Sequence, residues 1–122
     1  TIDILDARII NIGVDFVAVV DYSQDKIEAI AAAITRIEKM FAEKLDIGQP
    51  IYISKIYDIL NNIDEIVDVT DVKLTSKSSG LYSDQVLNLK EYISADGRIL
   101  YAPENTVYEL KYPDLDIKGT IR

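Results

Sequence analysis

The chain has 122 residues, 48% hydrophobic and 28% charged, which fits one domain with a sizeable core and argues against a disordered composition. Thirteen Lys and Arg stand against 21 Asp and Glu, and the net charge of −8 makes a field that repels phosphate backbones and anionic membrane surfaces. Neither Cys nor His occurs, which excludes thiol nucleophiles, zinc–cysteine sites and disulfides and removes the commonest general base, so an enzyme here would have to run on carboxylates, lysine or tyrosine.

Residues 8–22, "RIINIGVDFVAVVDY", predict a long strand. Ile10, Ile12, Val14, Phe16, Ala18 and Val20 fall on one face, and the other face carries Asn11, Gly13 and Asp15 before turning apolar at Val17 and Val19. Gly13 marks a bulge or a bend. Ser23 offers an N-cap, with Asp25 in the first turn, for a helix running to Leu45. Its apolar stripe is Ile27, Ile30, Ile34, Ile37, Phe41 and Leu45, with Glu28, Thr35, Glu38, Lys39 and Glu43 mainly opposite. Burying those six side chains is worth about 9–18 kcal/mol gross, most of it offset by ordering entropy.

Gly48 and Pro50 stop that helix. Ser54 then caps a shorter one built on Ile56, Ile59, Leu60 and Ile63, which the Asn61-Asn62 pair ends in the left-handed conformation. In "IVDVTDVKLTS", Val67 and Val69 share one parity and Val72 and Leu74 the other. One extra residue near Thr70-Asp71 reconciles them, which predicts a β-bulge.

The remainder changes character. "SKSSG" (76–80) reads as a polar loop. "QVLNLKEYIS", "GRILYA" and "TVYELKY" read as strands, with Asp96-Gly97 as a hairpin turn and "PDLDIKGTIR" as a tail. The expected fold is therefore α+β: an antiparallel sheet covered by an αα-hairpin, in a β-α-α-β core over 1–78, with a β-hairpin-rich extension over 79–122 packed on it. No apolar run approaches the roughly 20 residues of a membrane span, and no signal peptide is visible. The start at Thr1 reads as a fragment of a longer chain or a processed product.

The acids Asp58, Asp64, Glu65, Asp68 and Asp71 lie close in sequence. A pair of carboxylates serves glycoside hydrolysis, and a cluster binds calcium or magnesium. The spacing has no EF-hand pattern, and Asp68 and Asp71 share a face only if the bulge forms, so the solvated side of a strand is the plainer reading. "GQP" (48–50) lacks the glycines and the Lys-Ser/Thr of a phosphate loop. Lys44, Lys55 and Lys73 sit on polar faces, whereas a nucleophilic lysine needs desolvation. Tyr92, Tyr101, Tyr108 and Tyr112 are the candidate interface residues, with core-edge packing as the competing role.

The order of residues has a resemblance. "VDFVAVVDY" leads into the long amphipathic helix, and "LDIGQPIYISKIYDIL" and "IDEIVDVTDVKL" follow. This resembles the C-terminal part of the baseplate J-like and baseplate wedge proteins of contractile-tailed phages, which show a Gly-x-Pro break, a Ser-led helix and a Val-x-x-Val strand in this order. It covers 8–76, and 90–122 more loosely. "DGRILYAPENTVYELKYPDLDIKGTIR" looks closer to the large wedge subunit of myoviruses than to the shorter J proteins. Glu65-Ile66 stand where the family often has Gly before the second strand.

The resemblance implies a non-enzymatic, structural role in the virion, at the tail baseplate, after assembly in the host cytoplasm. Its implied partners are other copies of the parent protein and other baseplate wedge subunits, with no nucleic acid and no membrane. It carries over no catalytic, cofactor-binding or metal-binding residue. Two other classes stay open: a small-molecule-binding regulatory domain and a carboxylate hydrolase.

Overall fold

A computed structural model describes residues 8–42, 45–78, 80–82, 85 and 87–122. Its first strand, β1 (Arg8–Val20), runs through the centre of the sheet, and its apolar face from Ile10 to Val20 is buried. There follow α1 (Lys26–Met40), a two-residue strand β2 (Ile51–Tyr52), α2 (Ile53–Asn61) and β3 (Ile66–Lys77). The chain continues through a 3-10 turn (Leu89–Tyr92), β4 (Ile99–Leu100), β5 (Thr106–Glu109), α3 (Pro113–Asp116) and β6 (Ile117–Ile121). Helices and strands are mixed, as an α+β class requires.

The sheet is mixed, not antiparallel. β3 pairs antiparallel with β1, but β5 pairs parallel along Arg8–Asn11 and β6 parallel along Val14–Ala18. Alternation tells which face a residue takes and nothing about strand direction. Direction was decided by the segment after β3, which returns the chain to the start of β1 before β5 begins. Strands from both sides of position 78 thus share one sheet. β2 and β4, unforeseen as a pair, form a separate two-stranded ladder. The Asp96-Gly97 turn is present, with Gly97 at φ +73°, but Leu89–Tyr92 upstream of it is a 3-10 turn and not a strand.

The bulge is at Thr70. Val17 pairs with Asp71 and Ala18 with Val69, so Thr70 is the extra residue, and Val69, Val72 and Leu74 all reach the buried face. A second irregularity skips Val67, because Val19 faces Asp68 and Val20 faces Ile66. Ile66 therefore takes the core position expected of Val67, which is 65% exposed. Opposite β3, Gly119 of β6 pairs with Phe16, and a Cβ there would come within 2.3 Å of the Phe16 ring. The ring lies over the glycine, so only Gly fits.

Both helix starts differ from expectation. Asp25, not Ser23, caps α1: its carboxylate accepts the Ile27 and Glu28 amides at 2.9 and 3.4 Å. Ser23 is held by Asp21 instead. The helix ends at Met40, short of Leu45; Glu43 and Lys44 lie outside the described residues. Its buried stripe is Ala29, Ala33 and Ile37. Alanines let the helix approach the sheet closely, so the isoleucines flank the contact: Ile30 and Ile34 are half-buried, and Ile27 is 79% exposed.

α2 has no side-chain cap. The Ser54 amide donates to the Arg98 carbonyl, so the turn at 94–98 satisfies it. Asn62 ends the helix at φ −85°, outside the left-handed region. Tyr57 fastens α2 to β3, its hydroxyl accepting the Val72 amide at 3.0 Å.

Candidate functional site

The four tyrosines do not form one surface. Tyr108, on β5, is 1% exposed, and its hydroxyl donates to the Tyr101 carbonyl at 2.7 Å. Burial, with the neighbouring Tyr92 adding to it, pushes its pKa up to about 12. Tyr108 is therefore a core residue: the alternation that aims Val107 outward aims it inward. Tyr92 and Tyr112 are half-buried, and only Tyr101, 51% exposed, offers a wide open face. Tyr112 packs edge-on against Tyr82, with centroids 5.6 Å apart at 77°, and the Lys111 ammonium lies 5.6 Å from its ring centre.

The acids spread out. Through the bulge, Asp68 and Asp71 fall on one face, opposite Val19 and Val17. Asp71 meets Lys73 at 3.8 Å, both well exposed, a pair that contributes little. Among the described residues no group of three metal-ligating side chains is placed to hold an ion. Asp58 borders a polar recess of about 340 Å³ with Ser54, Tyr57, Asp96 and Arg98. There the Ser94 hydroxyl and the Arg98 amide hold the Asp96 carboxyl below its usual range, so this acid is engaged in its own turn. Lys55 sits over the Tyr52 ring at 5.3 Å, Lys73 is exposed, and Lys44 lies outside the described residues.

Among the described residues three polar side chains are buried that were not foreseen: Asn11, Thr106 and Asp116. Asp116, at the end of α3, accepts the Tyr82 hydroxyl at 2.5 Å and the Tyr112 amide at 3.2 Å. That hydrogen bond, with desolvation and the carboxylate charge, raises the Tyr82 pKa. Asn11 of β1 donates to Glu109 of β5 at 2.8 Å. Together these bonds seal the interval where β5 gives way to β6 alongside Gly13. A Cβ on Gly13 would meet the Lys77 and Thr75 side chains and the Asp116 carbonyl within 3.0 Å. The only sequence signal was Pro113 opening a turn, two residues before "LD".

What the fold leaves open is apolar. Tyr22 is 98% exposed, and with Ile27 and Val67 it lies at the end of the sheet where β1 runs into α1. A groove of about 460 Å³ runs beside the edge of β5, lined by Ile9, Phe41, Leu45, Val107, Tyr108 and Leu110 among others. Among the described residues no helix is long and apolar enough to cross a membrane. No family model matches this chain, and no curated protein matches its sequence.

Proposed function

We propose that this chain is a structural domain of a phage tail baseplate wedge, working through protein–protein assembly and not through catalysis. The observation that carries the reading is the set of large apolar side chains left in water at one end of the sheet, Tyr22, Ile27 and Val67. Exposed apolar surface of that kind is what assembly interfaces use. Asp116, Asp96 and Asn11 are, in contrast, engaged in hydrogen bonds that hold turns and strands together.

The division into a β-α-α-β core over 1–78 and an extension over 79–122 comes from the sequence patterning; the partners, further copies of the parent protein and other wedge subunits, and the place in the virion baseplate come from the resemblance. Cross-linking of purified tail particles carrying a tagged version of the chain tests it. Cross-links to wedge subunits are expected. A tagged chain never recovered with any tail component overturns the reading.

The apolar groove beside β5 favours a second reading, a small-molecule-binding regulatory domain. It predicts a large, compound-specific rise in melting temperature in a metabolite screen. The Phe41→Ala variant would then lose that rise.

A further inference from the structure

We infer that the end of the sheet where β1 meets α1 is a docking surface for a protein partner with basic residues around an apolar recess. The inference rests on the reading of the chain as an assembly domain, but not on the kind of particle. Three segments converge there. The last residues of β1 lie beside the first of β3, with Val19 opposite Asp68 and Val20 opposite Ile66, and the 21–25 turn leads directly into α1.

Each segment brings one large apolar side chain that the fold does not cover. Tyr22 comes from the turn, Ile27 from the first turn of α1, and Val67 from the irregularity of β3. Their exposure has local causes: Tyr22 lies beyond the last sheet pairing, and Val67 is the residue that the ladder skips. Ile27 stands to one side of the Ala29–Ala33–Ile37 stripe that meets the core.

Charge names the partner. Asp21, Asp25, Asp64 and Asp68 flank these side chains along the chain and are exposed. Asp21 and Asp25 hold local amides with one oxygen while facing solvent. Lys26 precedes Ile27 and the Arg122 amide donates to the Ala18 carbonyl, so these two cations lie near this end and the four acids outnumber them. A second copy would bring the same acids against its own kind, and like charges set face to face disfavour that pairing. A basic rim around an apolar pocket would meet both features: the apolar centre supplies affinity, and the acidic rim supplies encounter rate and partner choice.

The probe is a synthetic amphipathic helix of leucine and lysine, titrated into the 122-residue chain and followed by amide NMR shifts. Shifts are expected at Tyr22, Ile27 and Val67. The same helix with glutamate in place of lysine should bind at least about tenfold more weakly, as should polylysine without leucine. The Tyr22→Ser/Ile27→Ser variant should melt like the wild type and lose at least about tenfold in affinity. Equal binding by that variant, shifts confined to the β5 groove, no shift at this end, or self-association through it would each overturn the inference. Binding here without any cross-link in tail particles would leave the docking end standing and remove the baseplate reading.

Discussion

The two ends of β1 are built on opposite terms. At its start, from Arg8 to Gly13, strands press in on both sides, and the buried side chains of Asn11 and Asp116 bond to Glu109 and to Tyr82 and the Tyr112 amide. At its finish, from Val19 to Tyr22, the ladder grows irregular and apolar side chains stand in water. Buried, hydrogen-bonded polar side chains mark the first end, whereas exposed apolar side chains occur at both, Ile9 and Leu115 near the first and Tyr22, Ile27 and Val67 at the second. On the proposed reading, the difference separates two tasks: the first end holds the fold together, and the second meets another molecule.

The largest expected effect breaks what both ends share. Phe16→Ala removes the ring over Gly119 and should cost about 3–5 kcal/mol, read from urea unfolding. At the sealed end, Asp116→Ala takes away the buried acceptor of the Tyr112 amide and should lower the urea midpoint. A loss indistinguishable from zero would mean that the seal contributes nothing.

Alkaline titration probes the same region. Tyr108 and Tyr82 are both raised above the ordinary value of 10.0, Tyr108 to about 12. Folding thus favours their protonated forms. That stabilisation is complete below about pH 10 and is lost as pH climbs toward 12. Melting curves between those limits should show the decline, and Tyr108→Phe should flatten it. Smallest is the open end, where Tyr22→Ser or Ile27→Ser should shift stability by no more than about 0.5 kcal/mol. A larger loss would show that these side chains pack on the fold and are not held out for a partner.

The buried face of β1 was legible because period-2 alternation is a local property of the strand. The bulge at Thr70 was legible for the same reason: a change of parity between Val69 and Val72 admits one extra residue. Helix starts were harder. Ser23 and Asp25 can both cap, and Asp21 decided between them by binding Ser23. Ser54 lost its place as a cap because a carbonyl 44 positions away, at Arg98, took its amide. The candidate tyrosines were chosen by composition, which cannot separate Tyr101 from Tyr108 until strand direction and face are known. Tyr22 was passed over because exposure belongs to the folded surface and not to the residue.

Short-range chemistry sufficed for the buried face of β1, the Thr70 bulge of β3, the existence of both main helices, the break at Gly48 and Pro50, and the acidic field of the whole chain. Tertiary structure alone decided that β5 and β6 run parallel to β1, that α1 meets the core through Ala29 and Ala33, that Asp116 and Asn11 are buried, and that Tyr22, Ile27 and Val67 are not. Each of those outcomes depends on groups distant in sequence competing for the same space and the same hydrogen bonds. Local pattern says what a residue can do; the rest of the chain settles which of its options costs least.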